Sequence, residues 1–265
     1  MGKLLVACES GDIETAKMLI FDGANVNEKN NTGCTPLNYI CMYGRCENVE
    51  LLESQGVACL SEYYKLAALL ISHGANVNNK DNHGNTPLHH ACGLGFYITA
   101  ELLTSHGANL DETNNNGDTP LHLACCNMHY EIAKLLITYR ANVDVQNNNG
   151  DTPLHLVCRE MHYEMVKLLT HHNANTNVKD NHGNTPLHIT CHKGNFDMAK
   201  LLFINIEANI NVKNDNKETP IMIARQNKHA YIVILLEKEL KKRIYILSLI
   251  INNDVLKHYI IRKID

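Results

Sequence analysis

Asn-Asn-Asn-Gly-Asp-Thr-Pro-Leu-His-Leu stands at positions 114–123 of this chain, and the same ten residues recur at 147–156. A related stretch, Lys-Asp-Asn-His-Gly-Asn-Thr-Pro-Leu-His, occupies both 80–89 and 179–188. A fixed sequence period of 20–50 residues indicates a solenoid built from one repeated unit. The motif threonine recurs at intervals of 33 residues and finally of 34, at Thr86, Thr119, Thr152, Thr185 and Thr219.

The motif itself predicts where helices and turns begin. The Thr119 hydroxyl can accept a hydrogen bond from an amide of the first helical turn, and Pro120 suits that turn because it has no N–H to lose. Asn149-Gly150 is a tight-turn dipeptide, since glycine adopts positive φ without penalty. Each unit is therefore predicted to run turn, helix, turn, helix, turn.

Thr-Pro-Leu-His-x-Ala at a 33-residue period, as at 119–124, resembles the ankyrin repeat, and the resemblance covers residues 1–237. It implies a mainly α fold, an ankyrin-repeat α-solenoid of helix-turn-helix units joined by β-hairpin-like turns. It also implies that the motif histidine ties neighbouring repeats together through side-chain hydrogen bonds. The expected function is protein binding without catalysis.

We predict seven repeats and a C-terminal segment. The first repeat lacks Thr-Pro and is interpreted as an N-terminal capping repeat. The second is 51 residues long from motif to motif, so it contains about 18 extra residues, placed around 48–61. Residues 48–54 and 62–72 compete for its second helix, and the latter has the better helical periodicity. The boundaries are 1–34, 35–80, 81–113, 114–146, 147–179, 180–213, 214–237 for the last, degenerate repeat, and 238–265 for a helical cap or tail.

The second helices are expected to end on a residue in the left-handed conformation. Glycine at this position, as at Gly23 and Gly107, carries no steric penalty. Later repeats have Arg140 and Asn173 instead. Asparagine tolerates the conformation, whereas arginine is penalised by about 1 kcal/mol.

Six of the ten cysteines share one position, six residues after the motif threonine or at its equivalent in the first repeat. Ankyrin repeats usually carry a small buried residue there. Neighbouring helices lie roughly 8–10 Å apart, whereas a disulfide needs Cα atoms within about 7 Å. We therefore expect core thiols, a reducing compartment and a cytoplasmic location, with secretion into a host cytosol as the alternative. The six are Cys8, Cys41, Cys92, Cys125, Cys158 and Cys191.

Other function classes fit the sequence poorly. A net charge of −4 argues against nucleic-acid binding. The pair Cys126 and His129 has no counterpart in the next repeat, so no catalytic site stands out and an enzyme is not expected. No metal or cofactor is expected either, because the densest ligand cluster, around His188 and Cys191, falls on scaffold positions.

The C-terminal segment allows three interpretations. Lys241-Lys242-Arg243 precedes an eight-residue apolar run at 244–251, which is too short to cross a bilayer. The segment is a cap of one or two helices on the last repeat, a basic amphipathic segment that lies on a membrane surface, or a helix that docks on a partner. A membrane partner is not expected.

The leading hypothesis is a monomeric, non-catalytic scaffold or adaptor that binds a protein partner, of unknown identity, through the concave ankyrin face. The alternative is a membrane-peripheral or host-directed effector protein that uses the basic-apolar C-terminal tail. Apolar anchoring is expected at Met42, Tyr43 and Leu94. The full candidate contact set is Met42, Tyr43, His83, Asn85, Leu94, Asp118, Asn127, Asp151, Arg159, Glu160, His192 and Lys193.

Overall fold

A computed structural model describes residues 2–43, 62–205 and 208–250, with their side chains except at 204–205 and 243–250. Over these ranges the regular structure is helical, and no strand occurs in them. The chain divides into two compact units, Met1–Leu156 and Val157–Asp265. The predicted mainly α solenoid is confirmed.

In the first unit, helices come in pairs that stack in chain order. First helices pack on first helices (α1 on α3, α3 on α5, α5 on α7), and second helices pack likewise (α2 on α4, α4 on α6, α6 on α8). The bounds are α1 Lys3–Ser10, α2 Ile13–Phe21, α3 Pro36–Tyr43, α4 Glu62–Ser72, α5 Pro87–Leu94, α6 Tyr97–Ser105, α7 Pro120–Cys126 and α8 Tyr130–Thr138.

The second unit follows the same scheme. Its first helices α11 and α13 pack together, and α12 packs against α10 and α14. Helix α9 (Pro153–Arg159) straddles the division between the units in the sequence. The other bounds are α10 Tyr163–His171, α11 Pro186–Lys193, α12 Phe196–Lys200, α13 Pro220–Gln226 and α14 Ala230–Ile250.

The long second repeat has its second helix at Glu62–Ser72, the stretch that periodicity favours. This helix is followed by Gly74 at a φ of 88°, as in the shorter repeats. The competing stretch at 48–54 and the insertion predicted around 48–61 lie outside the described residues.

The extra residue of the sixth repeat is accommodated by a change of helix type. After Lys200 the helix continues as one π-helical turn, Leu201–Asn205. A π turn holds one more residue than an α turn, and single π turns inside α-helices are how such insertions are tolerated. Leu202 and Phe203 remain fully buried, so the apolar face of the helix is kept.

The last helix differs from the predicted arrangement. We expected the seventh repeat to end at 237 and a separate cap to follow, but Ala230–Ile250 is one unbroken helix of 21 residues. The reason is local, because no glycine or proline interrupts this stretch and Leu, Glu and Lys favour helix. No described helix is both long and apolar enough to cross a membrane.

The cysteine position is confirmed as core. The six thiols are at most 2% exposed, and all are free. Burial raises the pKa of Cys158 and of Cys191 to about 12, so neither forms a thiolate at neutral pH. Cys126, one residue after the core thiol Cys125, is exposed.

The left-handed ends of the second helices are also confirmed. The φ angle is 83° at Gly23, 80° at Gly107, 70° at Arg140 and 63° at Asn173. A Cβ atom added at Gly107 would meet no atom of the described residues within 4 Å. The cost of a side chain at this position is therefore conformational rather than steric crowding by neighbours.

Arg140→Gly should stabilise the chain by about 1 kcal/mol, because it removes the penalty of a left-handed arginine. The measurement is thermal or urea unfolding beside the parent chain. The reverse exchange at the equivalent position, Gly107→Arg, is the matched control and should lower stability by a similar amount. An unchanged or lower melting temperature for Arg140→Gly would contradict this account.

The thiols should differ sharply in reactivity. In the native chain at pH 8, Cys126→Ser should remove one fast-reacting thiol from a titration with an aromatic disulfide reagent. Cys125→Ala should remove none, because its thiol is inaccessible and protonated until the protein unfolds. Loss of a fast-reacting thiol in Cys125→Ala would show that the core position is open to solvent.

Candidate functional site

The motif histidine links each repeat to the next. The Thr119 amide donates to His122 Nδ1 at 3.1 Å, and the Thr119 hydroxyl lies 2.8 Å from the same nitrogen. Because Nδ1 accepts, the ring is neutral with its proton on Nε2, which lies 3.0 Å from the carbonyl oxygen of Asp151 in the next repeat. The predicted role of this residue is confirmed.

The same bond recurs along the chain. His89 Nε2 lies 3.0 Å from Asp118 O, and His188 Nε2 lies 3.1 Å from Glu218 O. Burial lowers the pKa of His89 to about 4 and also lowers those of His122 and His188. These rings therefore stay neutral near pH 7 and serve as structural hydrogen-bond bridges.

Asn38 takes the place of the motif histidine in the second repeat, which the sequence pattern did not anticipate. Its Oδ1 accepts from the Thr35 amide at 3.0 Å and from the Thr35 hydroxyl at 2.7 Å. Its Nδ2 donates to Asn79 O at 3.4 Å. An asparagine amide can thus reproduce the bonds of the imidazole without a group that titrates.

The turn tips form a second link between repeats. The amide of Asn115 donates to His83 O at 3.0 Å, and its side chain donates to Asn82 O at 2.9 Å. Asn148 makes the equivalent bonds to the turn before it. A Cβ on the turn glycine Gly84 would lie 2.8 Å from the Asn115 nitrogen, so this close approach requires glycine.

Several candidate contact residues are used in bonds between repeats. Asn85 Oδ1 accepts from Asn114 Nδ2 at 2.9 Å, and Asp118 Oδ1 accepts from Asn147 Nδ2 at 2.8 Å. Asp151 is only 3% exposed, so its side chain is not available to a partner. The expectation that Asp151 contributes to a contact surface is therefore wrong.

A hollow in the first unit brings four candidates together. Met42, Tyr43, Asn85 and Leu94 line a cavity of about 350 Å³. Tyr43 is 57% exposed and Leu94 is 50% exposed. The Tyr43 ring stacks on Tyr39 with centroids 5.8 Å apart, which holds one wall of the cavity in place.

Four further residues line this hollow that the candidate set did not contain, namely His89, His90, Gly93 and Leu123. His90 Nε2 lies 3.0 Å from Asp81 Oδ2. Burial raises the pKa of Asp81, but the hydrogen bonds from His90 and from the Asn85 and His83 amides outweigh it, and the net pKa is lowered. His90 stands where the next repeat has Leu123, and this polar residue at an apolar position was the available sequence signal.

The second unit has a larger and more polar cavity of about 650 Å³. It brings together three candidates, Arg159, His192 and Lys193. Asn227 Nδ2 lies 3.4 Å from His192 Nδ1. The remaining lining residues are Asp180, His182, Asn184, His188, Ile189, Asn214, Asn216, Glu218, Ile223, Gln226 and Asn227.

Besides Asp118 and Asp151, three more of the twelve candidates line neither cavity. His83, Asn127 and Glu160 are exposed. Asn127 follows the last residue of α7, and its side chain donates to Leu123 O at 2.9 Å, so it caps that helix. Among the described residues, no group of three or more His, Cys, Asp or Glu side chains is placed to hold a metal ion.

Stacked helix pairs, a histidine bridge to the next repeat and turn tips joined by amides together define a tandem-repeat α-solenoid. Family models described as "Ankyrin repeats (3 copies)" match residues 56–147 and 137–214, and one described as "Ankyrin repeats (many copies)" matches 4–53. The chain belongs to the ankyrin repeat family.

Solved structures agree with this assignment. The chain is similar to the ankyrin repeat domain of Bcl-3, described as a unique member of the IkappaB protein family, with a TM-score of 0.73 and 24% identity over 89% of this chain and 98% of that one. It is also similar to the human ASB11 ankyrin repeat domain, with a TM-score of 0.70 and 25% identity over 89% and 97%. No curated protein sequence matches the chain.

Acid should weaken the fold through the motif histidines. Their pKa is lower in the folded than in the unfolded chain. Their contribution to the free energy of unfolding is therefore complete above about pH 6.5 and is lost as the pH falls towards 4. For His89 this amounts to about 3 kcal/mol. Urea unfolding at several pH values measures the loss.

His89→Asn is the matched variant, because Asn38 already fills this role in the second repeat. It should reduce the dependence of stability on pH between 6.5 and 4 while keeping the fold at neutral pH. If His89→Asn has the same pH dependence as the parent chain, protonation of this ring is not what weakens the fold.

Proposed function

We propose that this chain is a non-catalytic scaffold that binds a protein partner through the face formed by its turn tips and the ends of its first helices. The observation that carries this proposal is the hollow of the first unit, where Met42, Tyr43 and Leu94 expose apolar surface beside one another. Binding energy in protein interfaces concentrates on a few such side chains, aromatic ones above all.

The polar groups of this face support a recognition role better than a chemical one. The asparagines of the turn tips donate to backbone oxygens of neighbouring repeats, as Asn115 and Asn148 do. Every fully buried side-chain nitrogen or oxygen among the described residues has a hydrogen-bond partner. The scaffold thus holds its surface side chains on a rigid support, which limits the entropy lost on binding.

The proposed location is the cytoplasm, and the proposed state is a monomer. None of the eight described cysteines is in a disulfide, and seven of them are buried, which suits a reducing compartment.

A second candidate function rests on the last helix. Tyr231 is 79% exposed and Ile234 is 60% exposed, and Lys238, Lys241 and Lys242 follow on the same helix with exposed side chains. Exposed apolar residues beside lysines are typical of helices that bind anionic membrane surfaces.

Partner capture tests the leading proposal. Proximity labelling with the full chain in a cytosol should recover a partner, and combining Tyr43→Ala with Leu94→Ala should reduce its recovery about tenfold or more. Tyr139→Ala is the matched control, because Tyr139 is 45% exposed but lies outside the hollow. If the double variant retains every partner, this anchor is wrong.

Vesicle co-sedimentation tests the second candidate. On this hypothesis the full chain binds vesicles containing phosphatidylserine but not those of phosphatidylcholine alone, and Ile234→Glu weakens the binding. Equal sedimentation with both vesicle types, or with none, would remove the membrane function.

A further inference from the structure

Among the described residues, nothing requires position 93 to be glycine. It lies inside the helix Pro87–Leu94, and its φ is not in the left-handed region that favours glycine. A Cβ atom added there would meet Leu123 at 3.7 and 3.8 Å, which is ordinary contact. Alanine would therefore fit, and it would favour the helix more than glycine does.

The other repeats carry a side chain at this position. It is the seventh residue after the motif threonine, and it is occupied elsewhere by Met42, Cys126, Arg159, His192 and Gln226. In the third repeat the missing side chain leaves open the space between Tyr43 on one side and Leu123 on the other. Gly93 lines the hollow beside Leu123 and contributes no side chain to fill it.

The hollow has the dimensions and walls of a receptor for one large side chain. Its volume of about 350 Å³ lies at the lower end of the range for ligand pockets, ~300–1,000 Å³. Met42, Leu94 and Leu123 supply apolar walls, and the exposed Tyr43 ring offers a face for aromatic stacking. The polar lining is already engaged, since His90 bonds to Asp81 and Asn85 to Asn114.

The charge of the first unit indicates which residues should flank the bound side chain in the partner's sequence. Residues 1–156 contain 17 Asp and Glu against 8 Lys and Arg, a net charge of −9. Two carboxylates lie behind the walls of the hollow, Asp81 beside His90 and Glu9 at 3.4 Å from the Tyr39 hydroxyl. None of the described residues that line the hollow is a lysine or arginine. This negative potential favours a cationic partner.

We propose that the hollow over Gly93 holds one aromatic side chain from a partner segment in which lysines or arginines flank that residue. The proposal rests on the proposed protein-binding function and names the chemistry of the occupant. The aromatic ring enters between Tyr43, Leu94 and Leu123, and the flanking cations face the acidic surface of the first unit.

Fluorescence anisotropy of labelled peptides on the full chain is the test. The probe is Gly-Lys-Arg-Trp-Lys-Arg-Gly, compared with versions that have Ala for Trp or Glu for each Lys and Arg. We expect the first peptide to bind with an affinity about tenfold or more above that of either comparison peptide. No binding at about 1 mM, or equal affinity for the Trp and Ala peptides, overturns the proposal.

Variants that fill the hollow test the proposal more directly than the peptide comparison does. Gly93→Met adds the side chain that Met42 supplies in the repeat before, and it should weaken the Trp peptide about tenfold while the melting temperature stays equal or rises. Gly93→Ala should give a smaller loss with the same direction in stability. Cys126→Met, the same addition one repeat later, should leave peptide binding unchanged. Undiminished binding to Gly93→Met overturns the proposal.

The two proposals fail differently. If a captured partner depends on Tyr43 and Leu94 but the Trp peptide does not bind, the occupant named here is wrong and the protein-binding function stands. If the peptide binds as expected and capture is indifferent to both residues, the hollow is a receptor and the partner capture occurs elsewhere.

Discussion

One hydrogen-bonded chain supports the rest of this protein: threonine amide to imidazole Nδ1, and imidazole Nε2 to the backbone carbonyl of the next repeat. It needs a buried, neutral ring in one tautomer, since a protonated ring cannot accept at Nδ1. The bond at Nδ1 caps the start of a helix, and the bond at Nε2 joins two repeats. The turn tips and the buried cysteines are positioned around it, which is why they repeat with the same period.

Most histidines and cysteines that look reactive in the sequence have structural roles in this scaffold. His122 and Cys125 lie three residues apart on one helix, and both are fully buried, one as a bridge and one as a small apolar filler. Their pKa values move in the direction that keeps each group uncharged. What remains variable and exposed is the end of each first helix, where Tyr43, Leu94 and Lys193 differ in size and charge.

The periodic part of the fold could be predicted from the sequence, because it depends on local rules. A Thr-Pro helix start, a left-handed helix end at Gly107 and a core cysteine each require only neighbouring residues and one repeat of context. Asp151 was misjudged because its burial depends on tertiary packing. The hollow was predicted only in part. Its exposed apolar side chains can be read from the sequence, whereas the open space between them also depends on Gly93, which has no side chain.

The two units also differ in character within the same fold. Residues 157–265 contain 16 Lys and Arg against 11 Asp and Glu, a net charge of +5, and their cavity is polar. The first unit is acidic and its hollow is largely apolar. The same repeat scaffold thus supports two surfaces of opposite charge, because the histidine bridges use imidazole rings, threonine groups and backbone carbonyls and no charged side chain.

The π turn at Leu201–Asn205 means that distance along the chain and distance in space are decoupled in this array. His188 reaches a carbonyl 30 residues ahead, whereas His89 and His122 reach one 29 ahead, yet all three bonds are 3.0–3.1 Å long. An inserted residue can therefore be accommodated inside a helix rather than in a loop. The repeats on either side keep the same hydrogen bonds to each other. Strict spacing is thus a sufficient sign of this architecture and not a necessary one.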